Sequence, residues 1–472
     1  MRKVLMVSKE DKGSQEVLKN PEKSYSFAIM RPGGNDTALV RGVVRDAAIR
    51  KEVNDALLNI YGNVEQVGFV DLDPAEPELM MAGGEFCGNA TRSTAWLALG
   101  GKSGEVNIKV SGVKDRLKAG VKQNGEAFAQ MPIYSDVSKV TADGENRIVE
   151  MEGITQYINF NVKEIEGLST EKVKAKAMKL IREKNLDRFP AAGVIYSKKE
   201  GDNWRITPIV YVKAVETTYA ETACGSGTVA LGLVLAQKEG GSIKDVPIVQ
   251  PTGLPIKVSV DYDRKAFGYA QINGPVEPLG EGRLIQKEGL SYAVEMVNRP
   301  KDLESALGGG ELSSLYKDIF GKAPYFESYT DEAVRKIFSK YVGDGMLFLA
   351  KSGGGEIIGF GAAVPMNTVP DEASAANISV EDIDRTWYMA DLGVKDDMRF
   401  QGVGKNLVLS RLGRLKDCLV VMRTSVYNIA SQSLYRSLGF QVILDASQTV
   451  DWKRIRQDIP TKDNRLFMSK RV

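Results

Sequence analysis

Two stretches of this chain repeat one another, and the repeat constrains the fold more than any other feature. Residues 85–101 read EFCGNATRSTAWLALGG, and residues 222–241 read TACGSGTVALGLVLAQKEGG. Each sets Cys-Gly before a small polar residue, continues as an apolar helical run and stops at Gly-Gly. That is the pattern of a helix entered through a tight turn and ended by glycine. Cys87 and Cys224 stand 137 residues apart. A second echo, AFAQMP at 127–132 and GYAQING at 268–274, sets Gln130 and Gln271 apart by 141. Two echoes at nearly one offset predict two related halves. Short β-branched and aromatic runs, such as Ile206 to Val212 and Gly193 to Tyr196, predict strands around the helices. The expected fold is two pseudo-symmetric β-rich lobes, residues 1–140 and 141–282, each around a central helix.

The repeat fades after Gly274-Pro275. Residues 276–290 (VEPLGEGRLIQKEGL) show no periodicity and read as a linker rich in Pro, Gly and Glu. Beyond it, Val334, Ile337, Phe338 and Tyr341 fall at helical spacing. The runs 346–350 and 356–360 flank a Gly-rich turn and predict a β-hairpin. The third unit, 290–472, is therefore expected to be mixed α/β, giving an α+β / α/β chain overall.

A length of 472 residues suits three such units. The 63 basic and 61 acidic side chains nearly cancel, so no strong field steers the chain to nucleic acid or an anionic membrane. No apolar run approaches the ~20 residues that span a bilayer. The start, MRKVLMVSKEDKG, turns charged too early for a signal peptide. The basic C-terminal residues Lys453, Arg454, Arg456, Lys470 and Arg471 are interrupted by Asp451, Asp458 and Asp463 and read as a solvated strand face. With three cysteines, an odd count, the chain is expected to be reduced and cytoplasmic. The expected partner is a small molecule, with neither nucleic acid nor membrane, and a homodimer is left open. The absence of histidine removes His general bases and His-ligated metals together, leaving acid-base work to Cys, Asp, Glu, Lys or Tyr.

A thiol at a helix N-terminus meets unpaired N–H groups and the positive end of the dipole, which favour a thiolate and bind a carboxylate. Two such turns related by pseudo-twofold symmetry would hold one carboxylate between two helix ends, with a cysteine on each face of the α-carbon. One thiolate could remove the α-proton while the opposite thiol delivers another, with neither PLP nor metal. Cys418, which opens the apolar run CLVVM, reads as core.

These motifs resemble the diaminopimelate epimerase family of PLP-independent racemases over roughly residues 24–282. The matching residues are Pro32-Gly33-Gly34-Asn35-Asp36, Phe86-Cys87-Gly88-Asn89, Glu221-Thr222-Ala223-Cys224-Gly225-Ser226-Gly227 and Gly274-Pro275. The resemblance implies Cys87 and Cys224 as the acid/base pair and a substrate α-carboxylate on the amides of Gly88, Asn89, Gly225 and Ser226. It places Asn35 and Glu216 in the substrate pocket. Thr217 stands where the family carries the arginine that grips a distal carboxylate, and Phe189-Pro190-Ala191-Ala192 replaces its Asn-Pro-His element. The asparagine ahead of the first cysteine motif is missing from Met80-Met81-Ala82-Gly83-Gly84. The substrate is therefore expected to be an amino acid other than diaminopimelate, and a relative acting on histidine fits.

In the third unit, residues 399–404 read RFQGVG after a strand-like WYMADLGV and before a helix starting near Lys405. A strand, a Gly turn and a helix N-terminus together present amides to a phosphate. With the strand CLVVMRTSV, Asn428 and the run Leu434-Tyr435-Arg436-Ser437-Leu438-Gly439-Phe440, the order resembles the GNAT N-acetyltransferases over about 320–472. The resemblance implies acetyl-CoA held by Arg399, Gln401, Gly402, Val403, Gly404, Lys405 and Asn428, with Tyr435 protonating the departing thiolate. Asp391, Asp396 or water would take the amine proton. The reading is a bifunctional enzyme, an amino-acid racemase or epimerase joined to an acetyltransferase. The alternatives are a small-molecule sensor without turnover, or a proline-racemase-like or phenazine-type isomerase of the same lobed fold.

Overall fold

A computed structural model describes residues 22–213, 216–322, 325–443, 450–456 and 459–472. The N-terminal segment read above, Asp458, and the side chains of 450–463, including Asp451, Lys453, Arg454, Arg456 and Asp463, lie outside the described residues.

In the first lobe, the strands Lys23–Pro32, Asp36–Arg41, Val64–Asp71, Glu78–Met81, Gly104–Val110, Leu117–Val121 and Ala127–Gln130 pair in that order. They enclose the helix Gly88–Ala98, buried from Gly88 through Ala95. In the second lobe, Phe267–Gly274, Pro255–Tyr262, Ile243–Val249, Asn203–Val212, Ala191–Glu200, Ile154–Asn159, Asn146–Met151 and Val140–Asp143 pair in turn around the helix Gly225–Glu239. A helix buried on nearly every side takes mostly small or apolar residues, and the polar Asn89 and Arg92 of the first helix are buried with hydrogen bonds of their own. Where the lobes meet, Gln130 lies directly opposite Gln271 in an antiparallel ladder. The two echoed glutamines thus sit together at the junction of the halves.

Residues 276–290 are not a linker. The strands Val276–Lys287 and Leu290–Val297 form a hairpin whose first arm pairs with Lys23–Pro32 and whose second pairs with Met346–Ser352. Pro278 and Gly280 hid the strand because they flank a β-bulge opposite Ile29 and Met30, one of the few places a strand accepts proline. Gly282 is needed for a different reason: a Cβ there would lie 2.6 Å from the Phe27 ring. The pairs Leu284/Ala293 and Ile285/Tyr292 point to opposite faces. Leu284 and Ala293 pack with Phe27, Val53 and Leu57 of the first lobe. Ile285, Tyr292 and Val294 pack with Phe348, Val403 and Leu407 of the third unit. One hairpin therefore closes two cores.

The third unit continues that sheet through Met346–Ser352, Ile357–Pro365, Thr386–Val394, Leu419–Ser425 and Ile459–Arg471. The helix Val403–Leu412 covers one face. The helices Glu311–Gly321 and Asp331–Asp344 cover the other through Leu315, Ile319, Val334 and Phe338 against Leu347, Leu349 and Phe360. Cys418 is buried in the first of these layers. Thr386–Met389 pairs in parallel with Leu419–Met422, and the pairing stops there. Beyond Met389 the two strands splay and leave backbone edges open between them.

Candidate active sites

Each central helix is N-capped by its cysteine. Cys87 Sγ accepts from the Ala90 amide at 3.4 Å, and Cys224 Sγ accepts from the Gly227 amide at 3.2 Å. The threonine four residues on repeats the symmetry, Thr91 Oγ1 donating to the Cys87 carbonyl and Thr228 Oγ1 to the Cys224 carbonyl, both at 2.7 Å. Gly88 and Gly225 both close on Ile272, whose Cδ1 would lie 3.0 Å from a Cβ at either position. Glycine at both starts lets the two helix ends abut. Asn89 fastens them: its Nδ2 donates to the Ala223 carbonyl at 3.1 Å, and its Oδ1 accepts from fully buried Arg92 at 3.2 and 3.3 Å. Burial pulls the Arg92 guanidinium down to about 10, opposed by the nearby Cys87 and Glu126.

Cys87 Sγ also donates to Gln66 Oε1 at 2.7 Å. Burial pushes the Cys87 thiol up to about 12, against the Ala90 amide and together with the Glu221 and Glu85 charges. Cys224, 1% exposed, is raised further by burial, Glu221 adding to the effect while Ser226 and the Gly227 amide oppose it. Burial thus favours the thiol form at both cysteines. Ser226 Oγ lies 3.4 Å from Cys224 Sγ and accepts from Gln156 at 3.0 Å. Gln250 fixes the second turn by accepting from the Cys224 amide at 2.9 Å.

Two carboxyl groups stand at the second turn, Glu221 against Cys224 and Glu65 against Thr222. Glu65 accepts from Asn35 Nδ2 at 2.6 Å and from the Thr222 hydroxyl, and burial raises it despite those bonds. Glu221 is pushed up to about 7 by burial, relieved by its hydrogen bond from Cys224 and reinforced by Glu65. Asn35, Gly88, Asn89, Gly225 and Ser226 are thus brought around the two cysteines. Glu216 and Thr217 lie exposed at the start of the strand Thr217–Ala220, Glu216 with a left-handed φ of 48°. The structure puts Glu221, rather than Glu216, beside the thiols. Glu65 and Gln66 carried no motif; a glutamate and a glutamine in one β-strand were the only signal.

In the third unit, Gly402 takes a left-handed φ of 95° and caps the helix Val403–Leu412. That first turn holds no acidic residue of its own, and its amides, with Lys405 beside them, suit a pyrophosphate, while the Glu22 carboxylate accepts from Asn406 Nδ2 at 3.2 Å at the same helix start. Gly404 faces Val394 and Leu434, each 3.6 Å from where its Cβ would be, so the cradle opens toward the splayed strands. Gln401 braces the turn through the Asp397 carbonyl at 2.9 Å. Arg399 is tied outward to Asp396 at 2.8 Å. Asn428 caps the helix Ile429–Ser437 and donates to the Tyr325 hydroxyl at 2.7 Å. Beside the splay lies a cavity of about 330 Å³ walled by Tyr388, Asp391, Arg423, Tyr435 and Arg465. Asp391 is turned into it by a bulge in Thr386–Val394 and accepts from Tyr316 and Tyr341 at 2.9 and 2.6 Å. Asp396 is bound outside to Lys322 and Arg399. Of the two aspartates, only Asp391 lines the cavity.

The chain matches the family described as the histidine racemase CntK N-terminal domain over residues 24–285, and the acetyltransferase (GNAT) family over 312–440. It is 32% identical over 270 residues to a histidine racemase of Fusobacterium nucleatum subsp. nucleatum, covering 55% of this chain and 96% of that relative. A histidine racemase of Staphylococcus aureus is 25% identical over 267 residues, covering 54% and 96%. Among solved structures, a hydroxyproline epimerase from Agrobacterium vitis aligns at a TM-score of 0.40 and 14% identity, covering 56% of this chain and 93% of its own. Over more than half its length this chain belongs to the family of the histidine racemase CntK N-terminal domain, and it carries a GNAT acetyltransferase domain after it.

Proposed function

We propose that the N-terminal unit racemises histidine with Cys87 and Cys224 as the two bases, without PLP or metal. The observation that supports this most directly is the pair of cysteine-capped helix starts, joined by the Asn89–Ala223 hydrogen bond and closed on one isoleucine. A substrate carboxylate bound to the amides of Gly88, Asn89, Gly225 and Ser226 would leave its α-carbon between the thiols. That the Fusobacterium and Staphylococcus relatives are histidine racemases points to histidine. The acidic wall of Glu65 and Glu221 suits an imidazole, which donates one or two hydrogen bonds.

Racemisation needs one thiolate and one thiol. The carboxylate of Glu221, near neutral in its titration and hydrogen-bonded to Cys224, would take up the proton released as the pair becomes thiol and thiolate. The thiolate then removes the α-proton from one face and the thiol protonates the other, which exchanges the roles of the two cysteines. In the C-terminal domain, acetyl-CoA would lie on the Gln401 to Lys405 amides with its thioester at the splay, and Tyr435 would donate the proton to the leaving sulfur. Incubating the protein with L-histidine in D₂O tests the racemase reading. Loss of the α-proton signal with D-histidine forming is expected, whereas an unexchanged α-proton after many equivalents of enzyme-hours overturns it.

A further inference from the structure

The acetyl acceptor is assigned by no comparison, and the cavity beside Tyr435 is chemically specific. Arg423 and Arg465 come from neighbouring antiparallel strands, Arg423 opposite Phe467 and Arg465 two residues before it. Diagonal neighbours of this kind stand on one face of the sheet. Both line the cavity; Arg465 is 3% exposed, and Arg423 is steadied by Glu372 at 3.5 Å. Guanidinium forks in a dry site are matched to a carboxylate, which they bind through paired hydrogen bonds. Across the same cavity, Asp391 is held by two tyrosine hydroxyls and faces the splay where the thioester would lie. Such a carboxylate suits an ammonium group. About 330 Å³ accommodates a small molecule rather than a protein surface.

We infer that the acceptor is a free α-amino acid, its carboxylate on Arg423 and Arg465 and its amine at Asp391. In the transfer, the amine nitrogen forms a bond to the thioester carbonyl carbon as the carbon–sulfur bond breaks. The ammonium first releases one proton to solvent; Asp391 then takes the second proton, lost as the nitrogen is acylated, and Tyr435 supplies the proton gained by sulfur. The products are an N-acetyl amino acid and free CoA. This inference rests on acetyl transfer by the C-terminal domain and not on the racemase reading.

The test uses the full-length protein with acetyl-CoA and mass detection of acetylated product. The acceptors are L- and D-amino acids including both histidines, the α-amide of each, spermidine, and a tripeptide with a free N-terminus. An amino acid should be acetylated, with kcat/KM for its amide lower by ~30-fold or more, because a neutral amide cannot accept the paired charge-assisted hydrogen bonds that a carboxylate takes from guanidinium groups. Arg423→Gln should raise KM for the acid, leave kcat within a few-fold, and bring the acid-to-amide ratio toward unity. The substrate comparison on the wild type stands even where a variant folds poorly. Amides, spermidine or the peptide acetylated as well as the acids would overturn the inference while leaving the domain an acetyltransferase. So would an unchanged acid-to-amide ratio in a folded Arg423→Gln. No transfer to any acceptor would overturn the inference together with the acetyltransferase assignment on which it rests.

Discussion

The side-chain amide of Asn89 donates to the backbone carbonyl of Ala223 across 3.1 Å, joining the residue two positions after Cys87 to the one just before Cys224. The other end of that side chain is held by Arg92 from within the first helix. A single asparagine therefore sets how far apart the two helix starts stand. Two thiols can serve one α-carbon only if that separation is fixed before substrate arrives, since loss of orientation costs rate directly.

If each cysteine works from one face, Cys87→Ser and Cys224→Ser should each lower racemisation by ~10²–10⁴-fold, the usual cost of a lost acid-base group. Acetylation should be unaffected in both, because neither thiol lies in the third unit. Chiral chromatography of histidine after fixed incubation measures the first effect and acetyl-CoA consumption the second. Near-native racemisation by either single variant would contradict the two-base assignment.

Glu221 should control the thiol titration. Its carboxyl is raised from 4.5 to about 7, so it is ionised across the range where Cys87 loses its proton, and its charge holds the thiol up. Glu221→Gln removes that charge, so the pH midpoint for alkylation of Cys87 by iodoacetamide should fall, as read by peptide mass spectrometry. Stability carries the opposite end of the same linkage. A carboxyl whose folded pKa is raised contributes stability that is complete below pH 4.5 and is lost as pH rises through about 7. Melting temperature should therefore decline from pH 5 to 8 more steeply in the wild type than in Glu221→Gln. Parallel curves with an unmoved alkylation midpoint would remove Glu221 from the site.

The repeat was legible because both central helices meet the same demands. Each needs a tight turn, a glycine where the helix ends abut, and small, apolar or internally hydrogen-bonded residues on its buried sides. The Gln130 and Gln271 echo was legible as an offset, but only strand pairing shows that the two residues face each other. Glu65 and Gln66 could not be found in this way. Glu65 meets Thr222 across 157 positions of sequence, and that contact exists only once the lobes have closed. The hairpin at 276–297 was misread because Pro278 and the glycines that serve a bulge and a close approach are also the residues of a linker. Asp391 read as one of two candidate bases, and the register shift that turns it inward leaves no mark in composition.

That hairpin gives a prediction with two separable outcomes. Leu284 faces the first lobe and Tyr292 the third unit, although the two lie on adjacent strands. Leu284→Ala should cost ~2–5 kcal/mol, felt in the core around Val53 and Leu57, and should lower racemisation at elevated temperature. Tyr292→Ala empties space beside Val403 and removes the hydroxyl that accepts from Asn406 at 2.8 Å, in the first turn of the helix at the phosphate cradle. It should weaken acetyl-CoA binding first. Calorimetry with both activities measured after graded heating distinguishes these losses. Equal loss of both activities in both variants would contradict the division of the two faces.

Tyr435 tests the acetyl-transfer chemistry at a single atom. Its ring is 2% exposed and meets Phe440 edge-on at 5.0 Å, so it is both a packing element and a cavity wall. Tyr435→Phe keeps that ring contact and deletes the phenolic proton donor, leaving Ser431 as the other hydroxyl of this helix in the cavity wall. If the hydroxyl serves as general acid, kcat for acetylation should fall by ~10²–10⁴-fold while acetyl-CoA affinity stays within a few-fold, because its binding amides lie on another helix. The loss should also depend on the leaving group. A thioester whose thiol is more acidic than that of CoA needs less help to depart, so the variant should recover much of the wild-type rate with it. A purely structural role predicts a lowered melting temperature and no such dependence. Steady-state kinetics with acetyl-CoA and with an activated acetyl thioester, run on the full-length protein, separate the two cases. A kcat within a few-fold of wild type for both donors would remove Tyr435 from the chemistry and leave proton delivery to water in the splay.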